Sequence, residues 1–176
     1  MVLWLTGAPG LVEEVADELW ALLPGARVVD PGPLEPVVNG ALGARGLAAL
    51  EGSRGWGALV ATTRAELAAW RSERVVVPRP VLDQDLWSLV ETALLRAGLE
   101  AELVALDADD ERQREKVRTA RVAVGPRLRE VDRHAAARPW LHRRADVVVD
   151  ADGRSPHETA VAVAAALGRR APPRSR

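Results

Sequence analysis

The sequence predicts an α/β fold in which a parallel sheet is covered by helices on both faces. Three observations carry this. Five short apolar runs recur along the 176 residues, separated by stretches with apolar residues at helical intervals. The runs are mostly continuous, as in strands buried on both faces. The first run leads directly into a glycine-bearing bend and then a helical pattern, the strand–turn–helix order of a phosphate-binding loop.

Val2–Thr6 is the first strand, and Gly7–Gly10 turn it into a helix from Leu11 to Leu23, ended by Pro24-Gly25. Ala26–Asp30 is a second strand, stopped by Pro31-Gly32-Pro33. Short helices are expected over Leu34–Ala41 and Ala44–Leu50, then a loop over Gly52–Gly57. Leu59, Val60, Leu67 and Trp70 give Trp56–Arg71 a helical period. Arg74–Val77 is a third strand, closed by Pro78-Arg79-Pro80. Asp83 is placed to cap a helix over Gln84–Ala97, with Gly98 at its C-terminal end. Glu100–Ala108 is a fourth strand and Asp107–Arg121 a highly charged helix. Gly125-Pro126 is expected to break that helix, which resumes over Arg127–Ala137. Arg144–Asp150 is the last strand. Ser155 caps a final helix that opens with Pro156 and runs to about Leu167, and 169–176 reads as a disordered tail.

Length suits one domain, 1–168, with its own core. No apolar run approaches the about 18 residues of a membrane span, and the N-terminus lacks the layout of a secretory signal, so a cytoplasmic protein with no membrane partner is expected. The chain has no cysteine, which removes disulfides and thiolate metal sites. It has six Trp but no Phe or Tyr, and its single lysine is Lys116. Net charge is −1, yet Arg112–Arg144 holds eleven basic residues against three acidic, leaving 13 basic and 22 acidic elsewhere. That segment is anion-seeking, though no nucleic-acid-binding motif accompanies it.

The phosphate-loop spacing is Gly, four residues, Gly-Lys and then Ser or Thr. Gly7 occupies the first place, but Val12, Glu13 and Glu14 stand at the other three. The frame is kept while the lysine that neutralises phosphate and the hydroxyl that takes magnesium are gone. Both glutamates fall in the first helical turn, where the macrodipole favours carboxylates. Asp107, Asp109, Asp110 and Glu111 read as helix N-terminal acids, not as a metal cluster. His134, His142 and His157 have no ligand spacing and read as surface residues, whereas Trp20, Trp70 and Trp87 read as core.

The chain resembles the P-loop kinase superfamily, most nearly the tunicamycin-resistance-protein-like group and more distantly adenylylsulfate and gluconate kinases. The resemblance lies in Trp4-Leu5-Thr6-Gly7, Val28-Val29-Asp30-Pro31, Val76-Val77-Pro78, Leu106-Asp107-Ala108, Ala145–Asp150 and Asp152-Gly153-Arg154-Ser155-Pro156. It implies a three-layer P-loop NTPase fold of the nucleoside/shikimate-kinase type with a five-stranded parallel sheet. It further implies ATP with Mg²⁺ over the first strand, held by Gly7, Ala8, Pro9, Gly10, Leu11, Val12, Glu13 and Glu14, with Arg154 at the base. An Arg-rich lid at about 109–130 would close on the phosphates through Arg112, Arg114, Arg118 and Arg121, with Arg127 and Arg129 following it. Asp30, Arg79 and Trp140 would face the acceptor, and Asp30, Arg118 and Arg121 would carry any catalysis. The expected function is a kinase-like protein that has lost efficient phosphoryl transfer and binds a nucleotide, a small molecule or a partner. An active ATP-dependent small-molecule kinase for resistance or a nucleoside-like acceptor, and an assembly role with homodimerisation through Trp56–Arg71, stand as alternatives.

Overall fold

Strand β1 (Val2–Thr6) is buried along its whole length because it faces two hydrophobic layers. Leu3 and Leu5 enter one, Val2 and Trp4 the other, which explains a run without alternation. The computed structural model describes residues 1–8, 10–30, 74–120 and 124–170. The expected elements between 31 and 73, and with them the Trp56–Arg71 dimer helix, lie outside the described residues, as do Pro9, Arg121, Trp70 and the tail from 171 onward.

The described elements alternate strand and helix. After β1 come α1 (Leu11–Leu22), β2 (Ala26–Val28), β3 (Arg74–Pro78), α2 (Gln84–Arg96), β4 (Ala101–Asp107), α3 (Asp110–Ala120), α4 (Val124–Arg144), β5 (Val147–Asp150) and α5 (Pro156–Arg170). The sheet is parallel in the order β2-β3-β1-β4-β5. Helices α1 and α5 cover the Leu3/Leu5 face through Val15, Leu19, Ala160 and Val163. The Val2/Trp4 face meets Trp87, Val90 and Leu94 of α2 and Ala137 and Leu141 of α4. This is the expected three-layer α/β architecture. Trp4 and Trp87 meet edge-to-face at 5.8 Å between ring centroids. No helix among the described residues is long and apolar enough to cross a membrane.

The ends follow local chemistry. Asp83 caps α2 by accepting from Leu86 N at 2.8 Å, and Gly98 adopts φ 73 after its last turn. At α5 the Ser155 hydroxyl accepts from Glu158 N at 3.2 Å, while the Glu158 carboxylate accepts from Ser155 N at 2.8 Å. The pair is a capping box.

Several expectations need correction. Gly125-Pro126 does not interrupt a helix but lies in the first turn of α4, where a proline has no intrahelical N–H to lose. The same helix runs through Pro139 to Arg144, so β5 begins at Val147 and Arg144 belongs to the helix. Helix α5 continues to Arg170, past the expected end at Leu167. Trp20 is 65% exposed, one position off the Leu11/Val15/Leu19 stripe, whereas His134 is only 2% exposed.

Candidate functional site

Because every strand pair is parallel, the loops after all five strands open on one edge of the sheet. The order reverses at β1, between β3 and β4, which is where such sheets form a ligand crevice. The turn after β1 is fixed from both sides. On the β3 side, Trp4 Nε1 donates to Arg79 O at 2.8 Å and Arg79 N donates to Leu5 O at 3.2 Å. On the β4 side, a β-carbon on Gly7 would come within 3.0 Å of Leu106 Cβ and 3.1 Å of Leu106 O. Strand packing alone therefore disfavours a side chain at Gly7, with or without a phosphate.

Ala8, Leu11 and Val12 are buried, and Val12 belongs to the core under α1. The Val12 side chain packs inward, with Cγ2 3.3 Å from a β-carbon placed on Gly7. Gly10 adopts φ 82 as N-cap of α1, and no side chain caps that helix. Leu11 N donates to Ala8 O at 3.2 Å and Glu14 N to Gly10 O at 3.4 Å. This leaves the N–H groups of Val12 and Glu13 in the first turn without a side-chain cap, an arrangement suited to anions. A β-carbon at Gly10 would lie 3.1 Å from Arg127 Nη2, so the guanidinium of this α4 residue rests directly over the loop. Glu13 and Glu14 are exposed in the first turn. Glu14 Oε2 lies 3.6 Å from Lys116 Nζ of α3.

The helical pair α3–α4 is held together by Arg114, which reaches Asp132 at 2.9 Å and Glu111 at 3.3 Å. The Asp132 hydrogen bond raises the Arg114 pKa, and the Arg118 hydrogen bond lowers that of Glu111. Arg118 pairs with Glu111 at 3.1 Å and Glu115 at 3.6 Å on its own helix. Arg112 instead reaches out, 3.3 Å from Asp152 Oδ1 in the loop after β5, beside Gly153. Arg154 is exposed in that same loop. Asp109 accepts from Arg112 N at 2.9 Å and so serves the N-terminus of α3.

Beneath the helical pair lies a polar root. Arg138 Nη2 donates to Asp110 Oδ1 and to Ala108 O, each at 2.7 Å. Its Nε stands 2.9 Å from Asp107 Oδ1, close enough for an ion pair but off the N–H axis. His142 Nε2 is 3.0 Å from the other Asp107 oxygen. His134, one turn before Arg138, is buried with Nδ1 unpartnered. Burial, and secondly the Arg138 charge, hold its pKa below the usual imidazole value.

Asp30 is exposed just beyond β2, on the same edge as the loop. Trp140 sits within α4, partly buried against the Trp4/Trp87 cluster, with Nε1 buried and unpartnered. Among the described residues, no group of three or more acids and histidines could hold a metal. Lys116 and Arg138 stand near the candidate site without being nominated from the sequence, whereas the resemblance places Arg127 just after the lid. For Lys116 the signal is compositional, a solitary lysine in a chain with two glutamates at its phosphate loop.

No family model matches the chain, and no curated protein matches it by sequence. Solved structures do. The tunicamycin resistance protein of Deinococcus radiodurans superposes with a TM-score of 0.73 at 20% identity, covering 98% of each chain. A gluconokinase from Sinorhizobium meliloti 1021 gives 0.66 at 14%, covering 96% of this chain and 91% of its own. The APS kinase of Mycobacterium tuberculosis, solved with AMPPNP and APS, gives 0.58 at 20%, covering 95% and 96%. With its five-stranded parallel sheet and the helices on both faces, this chain has the fold of the P-loop kinases.

Proposed function

We propose that the crevice over β1 binds an anionic small molecule, a nucleotide first among candidates, through cations supplied by α3 and α4, with little phosphoryl transfer. The observation that carries this reading is Arg127, whose guanidinium lies over Gly10 at the uncapped N-terminus of α1. A cation then stands beside the uncapped Val12 and Glu13 N–H groups of the first turn, where a phosphate would sit. A solved neighbour bound to AMPPNP and APS supports a nucleotide as the ligand.

The residues fit a phosphate better than they fit magnesium. Gly10, Arg127 and Arg112 would hold phosphate oxygens, with Arg154 close to the base. Glu14 stands where a hydroxyl would take the metal, and its carboxylate already faces Lys116. Weak catalysis follows, because the charge that develops in transfer would meet Glu13 and Glu14 at short range. An active kinase using Asp30, Arg118 and Arg121 is the second reading. It is favoured by the cation that Arg127 returns to the loop.

Calorimetric titration with ATP, ADP and GTP, with and without Mg²⁺, tests both. Binding is expected without a strict need for metal, and Arg127→Ala should weaken it about tenfold, the scale of one charge-assisted hydrogen bond. Folded protein that gives no heat with any nucleotide would overturn the binding reading. Sustained ADP release with a small-molecule acceptor would establish the kinase.

A further inference from the structure

Three side chains of α3 and α4 reach across to the core. Arg112 meets Asp152, Arg127 covers Gly10 and Lys116 meets Glu14. The last contact stands apart because both partners are anomalous. Lys116 is the chain's only lysine, and Glu14 replaces the hydroxyl residue of a phosphate loop. Glu13, equally exposed next door, makes no ion pair among the described residues.

We propose that Glu14 and Lys116 form an autoinhibitory clasp, in which the loop's own carboxylate occupies a cation that an anionic ligand must take over. The proposal rests on the anion-binding reading above and adds its regulation. Both partners are more than half exposed, so each ion pair is weak and quickly exchanged. A weak pair suits a clasp, since a multivalent anion can replace it. Its effect on binding is twofold. Lys116 must first leave Glu14, and Glu14, once free, repels the incoming charge. Removing the carboxylate relieves both, so the gain in affinity exceeds the strength of the pair alone. Salt weakens the clasp and the ligand contact together, since both are exposed.

The test uses the full chain and inorganic tripolyphosphate as probe. Affinity is measured for wild type, Glu14→Gln, Lys116→Gln and the swapped pair Glu14→Lys with Lys116→Glu. Amide hydrogen exchange over 110–120 is followed without ligand. Glu14→Gln should bind tripolyphosphate about tenfold more tightly, as expected for relief of roughly 1.4 kcal/mol, and Lys116→Gln more weakly than Glu14→Gln. Exchange in α3 should quicken in both single variants and return to the wild-type rate in the swapped pair. Equal affinity in wild type and Glu14→Gln, or a swapped pair whose exchange stays fast, overturns the clasp while leaving the binding reading in place. No binding by any variant, from protein whose exchange pattern shows it folded, overturns the binding reading and autoinhibition with it.

Discussion

Thr6 and Val81 exchange two hydrogen bonds: the Thr6 hydroxyl accepts from Val81 N at 3.0 Å and donates to Val81 O at 3.3 Å. One side chain thereby satisfies both polar groups of a buried backbone position 75 residues away, and does so immediately before the loop glycine. Together with Trp4 Nε1 on Arg79 O, it ties the turn after β1 to the segment after β3. Thr6→Val keeps the shape but leaves a buried N–H and C=O unmatched, at about 1–3 kcal/mol for each group. Denaturant unfolding should show a loss of about 2–4 kcal/mol, with Thr6→Ser retaining most of the wild-type stability. A loss below about 0.5 kcal/mol for Thr6→Val would mean that water replaces the hydroxyl.

His134 predicts an acid-sensitive step in stability. Its imidazole is held neutral by burial and by the Arg138 charge, partly offset by Asp110 and Asp107, with His142 adding to the lowering. In the unfolded chain the same ring titrates near ~6.5. Below that pH the unfolded state takes a proton that the folded state refuses, so stability falls as pH drops from ~6.5 toward the lower folded value. The slope approaches ~1.4 kcal/mol per pH unit within that window. Since Nδ1 has no partner, His134→Leu removes the titration without breaking a bond at that atom. Its unfolding free energy should vary less between pH 7 and pH 5 than that of wild type. An unchanged pH slope in His134→Leu would assign the acid step elsewhere.

Arg138 of α4 and Arg114 of α3 offer a contrast between two ion pairs that join these helices. Arg138 is packed against the partly buried carboxylates of Asp107 and Asp110 and the carbonyl of Ala108. Arg138→Met takes this donor from Asp110 and the Ala108 carbonyl and leaves Asp107 with His142 alone, and should cost roughly 3 kcal/mol. Asp110→Asn in that background should return part of the loss. Arg114 pairs with Asp132 and Glu111 where solvent screens them, so Arg114→Met should cost less than about 1 kcal/mol. Thermal unfolding of both variants decides the ranking, and equal losses would mean the polar root is no more than another surface pair.

The strands were legible because burial on both faces leaves an unbroken apolar run, and β1, β3 and β4 show it most clearly. The edge strand β5 alternates in burial, so its start blurred into the arginines of α4. Helix α4 was misread at both ends because Gly125, Pro126 and Pro139 look like breakers. In the structure the first two occupy an N-terminal turn and the third is exposed. His134 could have been recognised from its stripe, since Val131, His134, Ala137 and Leu141 repeat at helical spacing. The pairing of Glu14 with Lys116 could not. No local rule brings together residues that β2, β3, α2 and β4 separate among the described residues. Gly7 was legible as a loop glycine, but its close packing on Leu106 shows that strand approach by itself already disfavours a larger residue there.

Position 12 decides how the phosphate loop can be rebuilt. Substituting Gly, Lys and Ser at 12, 13 and 14 restores the motif spacing, yet the three positions are physically unlike. Glu13 and Glu14 are exposed, whereas Val12 is wholly buried among the residues beneath α1. Val12→Gly removes an isopropyl group from the core and places glycine inside a helix. The cavity and the lost helix propensity together should cost roughly 3 kcal/mol. Glu13→Lys with Glu14→Ser keeps that packing, removes two carboxylates and supplies the cation. The double variant should therefore bind ATP more tightly than wild type with stability nearly intact, while the triple variant should lose stability by the stated amount. Calorimetry with ATP and denaturant unfolding on the two variants separate these effects. Binding that appears only in the triple variant would show that the Val12 β-carbon, and not the charge of the glutamates, is what keeps phosphate out.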